Sequence, residues 1–214
     1  MEDVSACRNL RGASAVRLAE MRTARSWSFV GSVSVLLACD VGNAIAGGAS
    51  DVDAEAIEAA TGVSESEADR FVGQYAFAGG EAQRTALRDA IEELVAQLGA
   101  VIRGVARDKL TKTNPVFGKL SIERKGGALV LTYDSLTNTC NLDGSASDVE
   151  GIDGSSLECK LGVQGDALVQ RVDGSRGGRV NTFTIGKDGR LSMKTRVHSK
   201  LMPADLHYTL TFAR

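Results

Sequence analysis

The sequence predicts an α+β domain: one strand, a long amphipathic helix over residues 81–110, then an antiparallel meander of seven or eight strands, curled into a barrel or half-barrel against the helix. Three observations predict it. Beyond Pro115 apolar residues recur at every second position, as in Leu120 and Ile122, Leu129, Leu131 and Tyr133, or Leu206, Tyr208, Leu210 and Phe212. From Glu81 they recur instead at three and four, through Leu87, Ile91, Leu94, Leu98, Val101, Ile102 and Val105, while Arg84, Arg88, Glu92 and Arg103 fall elsewhere. Glycine-containing turns such as Gly126-Gly127, Gly165-Asp166 and Lys187-Asp188-Gly189 separate the period-two runs.

The elements follow in chain order. Arg22 and Arg25 precede an uncharged run from Ser26 to Cys39, and Ala44-Ile45-Ala46 follows, which is the layout of a secretory signal peptide. At about 1.5 Å per residue this run cannot span a bilayer core of about 30 Å. Residues 21–46 are therefore read as a cleaved signal, with Met21 as the start and residues 1–20 as an extension foreign to the native protein. The chain is expected to be exported, to a periplasm or as a secreted protein. An alternative cut lies at Leu36-Leu37-Ala38-Cys39, which resembles a lipobox; a lipid on Cys39 would make the protein a membrane-anchored lipoprotein.

Residues 47–69 hold seven acidic residues (Asp51, Asp53, Glu55, Glu58, Glu65, Glu67 and Asp69) and no basic one, which reads as an acidic flexible leader. Residues 70–214 form the single β-rich globular domain. Phe71, Gly73, Tyr75 and Phe77 alternate on one face of a first strand before Gly79-Gly80. In the helix Gly99 marks a bend, and Asn114-Pro115 ends it. Leu157, Cys159, Leu161 and Val163 share a face, as do Leu168, Gln170 and Val172; Phe183 and Ile185 follow, then Leu191, Met193, Thr195 and Val197. A curled sheet hides its edges, and the helix covers its apolar face.

If Cys7 and Cys39 are removed with the signal, Cys140 and Cys159 remain as the one pair in an oxidising compartment. They form either a disulfide or two buried free thiols.

Composition excludes some functions. With 25 basic and 27 acidic residues the chain has no field suited to nucleic acid, so none is expected as a partner. Charge is unevenly spread: residues 126–159 contain six acids and no base, which most simply marks a solvated face. No G-x-S-x-G or H-x-x-x-H occurs, so neither an enzyme nor a metal site nor a cofactor is expected. His198 and His207 fall on outward positions of a hairpin turning at Lys200 to Pro203, His198 opposite Asp205 and His207 opposite Arg196. Thr139 to Glu150 has part of a calcium-loop spacing, but Thr139 stands in the first ligand position and no helix flanks it, so an acidic turn is the plainer reading.

Phe71-Val72-Gly73-Gln74-Tyr75, the helix inserted after the first strand, Leu168-Val169-Gln170 with Asp173-Gly174, Gly189-Arg190-Leu191 and the closing strand with Tyr208 resemble the calycin superfamily, the lipocalin and fatty-acid-binding-like barrels. That resemblance implies a non-enzymatic protein with a cavity for a small hydrophobic ligand between curled sheet and helix. It implies a lining that includes Phe71, Tyr75, Tyr133, Phe183, Met193 and Tyr208. In the fatty-acid binders an Arg two residues before the closing-strand Tyr holds the ligand carboxylate; Leu206 stands there in this chain. The alternative is a structural or partner-binding envelope module whose helix fills the sheet and leaves a solid core.

Overall fold

The computed structural model describes residues 62–214. The extension 1–20, the signal peptide 21–46, the lipidation candidate Cys39 and the first part of the acidic leader lie outside the described residues.

Ser64, Glu67 and their backbones begin the described chain with a reciprocal cap. Ser64 N donates to Glu67 Oε2 at 2.9 Å and Glu67 N donates to Ser64 Oγ at 3.3 Å, which starts helix α1, Glu65–Asp69. The Ser64 hydroxyl holds the Glu67 carboxyl below its ordinary value. The last residues of the acidic leader are thus helical. Val63 and Ala68 are buried, Val63 N donates to Leu142 O at 2.6 Å, and Asp69 and Glu65 both pair with Arg124. These acids complement one arginine of the barrel, which composition alone could not show.

Strand β1, Gly73–Phe77, leads into α2, Gly80–Ala96, and α3, Arg103–Thr113. One helix over 81–110 was expected; two form, with the break at residues 97–102 around Gly99, and α3 runs past Leu110 to Thr113, with Asn114 as its C-cap. The first half of the apolar stripe is buried as expected, at Leu87, Ile91 and Leu94. Val101 and Ile102, which fall in the break, and Val105 in the first turn of α3 are exposed.

Nine strands then follow: β2 Lys119–Lys125, β3 Ala128–Tyr133, β4 Leu136–Asn141, β5 Ser147–Glu150, β6 Ser156–Gln164, β7 Ala167–Gly174, β8 Gly177–Ile185, β9 Leu191–Ser199 and β10 Leu206–Ala213. All pairings are antiparallel, and the order is β4-β3-β2-β1-β10-β9-β8-β7-β6-β5. The meander thus has one or two strands more than expected, the additions being β4 and β5. The sheet curls until its two edges, β4 and β5, nearly meet. Ser147 Oγ donates to Thr139 O at 2.7 Å across that seam, and a disulfide joins Cys140 of β4 to Cys159 of β6 with Cα atoms 5.5 Å apart. Of the two states open for these cysteines, the bridge is the one present.

Where β1 stops, β10 continues without a strand partner on that side. Gln83 of α2 takes over: Thr211 N donates to Gln83 Oε1 and Gln83 Nε2 donates to Thr211 Oγ1, both at 2.8 Å. The helix thereby covers a strand edge that would otherwise be free. Inward positions are apolar through most of the barrel, with Leu120, Leu131, Leu168, Phe183, Met193 and Phe212 buried. Each such side chain stabilises the fold by about 1.5–3 kcal/mol relative to exposure.

Candidate functional site

The barrel is filled at one end and open at the other. Where α3, the β5–β6 turn and the β7–β8 turn converge, a cavity of about 240 Å³ remains. Phe117, Leu136, Ile152, Leu157, Val172 and Val197 give it apolar walls. Its polar groups are Thr113, Tyr133, Asn138, Arg179 and Asn181, and Lys109, Glu150, Asp153, Arg176, His198 and Ser199 surround its mouth.

A buried polar layer crosses the barrel below. Gln170, Asn181 and Thr195 lie opposite one another on β7, β8 and β9. Thr195 Oγ1 donates to Asn181 Oδ1 at 2.9 Å, Asn181 Nδ2 donates to Gln170 Oε1 at 2.9 Å, and Tyr133 Oη reaches the same oxygen from β3 at 2.7 Å. Gln170 Nε2 faces both disulfide sulfurs, at 3.6 Å and 3.7 Å. Burial pushes the Tyr133 phenol well above its ordinary pKa, so it stays protonated and able to donate.

Arg179 of β8 shares the inward face with Asn181 and Phe183, since it pairs with Val172 on one side and Val197 on the other. Its Nη2 donates to Thr113 O at 2.6 Å and Asn114 Oδ1 at 2.8 Å. These acceptors carry no formal charge. Among the described residues no carboxylate pairs with Arg179, and its Nε and Nη1 donate to no described group. A partly buried guanidinium in this state is a ready partner for an anion.

At the mouth Lys109 of α3 is paired with Asp153 of the β5–β6 turn. The Lys109 ammonium, joined by the Ser155 hydroxyl, holds the Asp153 carboxyl far below the usual aspartate range. The contact ties α3 to the strands around the cavity.

Of the six residues expected to line a ligand site, Tyr133 lines this cavity. Tyr208 stands just behind it, its Oη 3.4 Å from the Asn114 Oδ1 that also receives Arg179. Phe71, Tyr75, Phe183 and Met193 are buried in the packed part of the barrel, and Tyr75 Oη donates to Phe71 O at 2.8 Å. The sequence reading missed Arg179, Asn138 and Asn181. Arg179 and Asn181 lie four and two residues before Phe183, and strand parity from that residue would have turned both inward.

The two histidines take outward positions on β9 and β10, with His198 at the rim of the cavity. His207 pairs with Arg196 as expected. Asp205, expected opposite His198, instead meets Arg196 at 3.5 Å, and His198 Nε2 lies 3.4 Å from Asp173 Oδ1 across Gly178. In the acidic turn Asp143 is engaged locally, accepting from Ser145 N at 2.9 Å and Ser145 Oγ at 2.6 Å, and the Ser145 hydroxyl lowers its pKa. Among the described residues no group of three or more His, Cys, Asp or Glu is arranged to hold a metal ion.

No known family profile matches the chain, and no curated protein matches it. Among solved structures it is similar to zebrafish ileal bile acid-binding protein complexed with cholic acid, at 15% identity over 68% of this chain and 98% of that one, with a TM-score of 0.41. It is similar to apo lipid binding protein 8 of Caenorhabditis elegans, at 15% identity over 71% and 98% of the two chains, with a TM-score of 0.43. It is similar also to fatty-acid-binding protein 1 of Echinococcus granulosus, at 11% identity over 68% and 98%, with a TM-score of 0.42.

Proposed function

We propose that this domain is an exported, non-enzymatic binder of a small amphipathic acid, whose apolar body occupies the cavity and whose carboxylate meets Arg179. One observation carries the reading: an inward arginine, without a carboxylate partner among the described residues, stands in a cavity whose walls are otherwise mostly apolar. Keeping a charge partly out of water is costly unless something compensates it, and the two neutral acceptors do so only in part. A carboxylate at Nη1 or Nε would complete the compensation.

Size limits the ligand. Small-molecule sites commonly enclose about 300–1,000 Å³, while an engineered cavity of about 150 Å³ holds one benzene ring. At about 240 Å³ the site suits a medium-chain or single-ring acid whose remainder extends through the mouth. Export rests on the arginines, the uncharged run and the Ala44-Ile45-Ala46 cut, and the buried disulfide fits an oxidising compartment.

Calorimetric titration of the full chain with octanoate tests the reading. Saturable binding that Arg179→Met weakens at least about tenfold supports it, that being the order expected for a charge-assisted hydrogen bond. A chain that binds no acid, and from which solvent extracts no lipid, favours instead a structural module; the packed barrel end around Phe183 and Met193 is the observation on that side.

A further inference from the structure

Asn138 stands on the cavity wall without a purpose in the fold. It lies on β4 opposite Leu131 of β3, so its side chain shares the inward face with fully buried Leu131 and Cys140. It lines the cavity and is only 5% exposed, yet its Oδ1 has no hydrogen-bond partner among the described residues. A buried polar atom left unpaired costs about 1–3 kcal/mol, and a native structure rarely leaves one without a reason. Leucine or valine would fill the position at no such cost, as Leu129 and Leu131 do on the neighbouring strand.

The polar layer does not supply the partner. Tyr133 Oη spends its proton on Gln170 Oε1, Asn181 Nδ2 is directed to the same oxygen, and Thr195 Oγ1 is committed to Asn181 Oδ1. Arg179 is bound on β8 to α3 and Asn114. Asn138 is therefore a polar point of the cavity wall whose acceptor is left unpaired, separate from the guanidinium.

We infer that the ligand carries a hydroxyl along its apolar body, in addition to its carboxylate, and that Asn138 receives that hydroxyl. This rests on the proposed binding at Arg179 and names the class of acid: a hydroxylated one. A hydroxyl is the group that fits because it both donates and accepts. It satisfies the amide whichever of its two ends faces the cavity, whereas an ether or a ketone would suit one orientation alone. The arrangement also sets specificity. An unsubstituted acid leaves the Asn138 amide without a ligand partner, and sites built to bond a hydroxyl discriminate against analogues that lack it.

The experiment is a calorimetric series on the full chain with octanoic acid and its monohydroxy isomers, the hydroxyl moved carbon by carbon. We expect at least one isomer to bind about tenfold more tightly than octanoate, the size of one net hydrogen bond. That advantage over octanoate should shrink to about twofold or less in Asn138→Leu. Arg179→Met should weaken octanoate and the favoured isomer alike. If octanoate binds through Arg179 but every isomer binds equally or more weakly, or the favoured isomer keeps its advantage in Asn138→Leu, the inference is wrong and the carboxylate reading stands. If no acid binds at all, both fall. Should Asn138→Leu fail to fold, judged by its circular dichroism melt, the isomer series on the wild type still decides, because a wall that only holds water at Asn138 gives no preferred hydroxyl position.

Discussion

Asn181 Nδ2 donates to Gln170 Oε1 at 2.9 Å in the interior of the barrel, and the two residues are direct partners on neighbouring strands. Polar groups at such a position are stable only as a connected set. Gln170→Leu removes the acceptor of both Asn181 and Tyr133 and should destabilise the domain by about 1–3 kcal/mol. Tyr133→Phe, which removes one donor, should cost about 1 kcal/mol. Urea denaturation of both variants and of the double variant checks this; strictly additive losses would contradict the shared oxygen.

The disulfide ties edge strand β4 to β6 across a sequence separation of 19 residues. In the chain-entropy account a loop of about that size is worth about 3 kcal/mol. Cys140→Ala/Cys159→Ala should therefore lose about 3 kcal/mol, and added dithiol should lower the wild type toward the variant without affecting the variant. A wild type whose denaturation midpoint ignores a dithiol under unfolding conditions would show that the bridge does not support the seam.

Gly178 separates Asp173 from His198 on the outer face of β7, β8 and β9. A Cβ there would lie 2.6 Å from Val172 O and 2.1 Å from Asp173 Oδ1. The carbonyl cannot move aside without disturbing the ladder, so Gly178→Ala should destabilise by about 1–3 kcal/mol. At Gly127 nothing lies within 4 Å of the added methyl, and Gly127→Ala should leave the thermal midpoint nearly unchanged.

The Lys109–Asp153 pair makes the mouth sensitive to acid. Asp153 titrates lower in the folded chain than its ordinary value of 3.8, chiefly through Lys109. A depressed carboxyl stabilises the fold above its unfolded pKa, and that contribution is lost as the pH falls from there toward the folded pKa. Wild type should thus exceed Lys109→Ala in stability at neutral pH, and the difference should shrink as the pH drops below 3.8. Parallel denaturation curves across that range measure it; a difference that grows in acid would reverse the assignment.

Strand parity and helical period came directly from the residues, because an apolar side chain every second position can be buried on one side of a sheet and a three-four spacing on one side of a helix. Leu120, Leu131, Leu168, Met193 and Phe212 are inward for that reason. Strands β4 and β5 were not legible. Their inward positions include Asn138 and Ser147, so the alternation that marks a buried face is broken where the barrel is most polar.

What the residue pattern settled was local: which segments are strands, which are helical, and which side chains each hides. Which strands come to be edges, that Cys140 reaches Cys159, and that Arg179 and Asn138 share one cavity depend on how the curled sheet brings together segments distant in sequence. Parity assigns a side chain to a face, whereas a cavity exists only where several faces converge without filling the space between them.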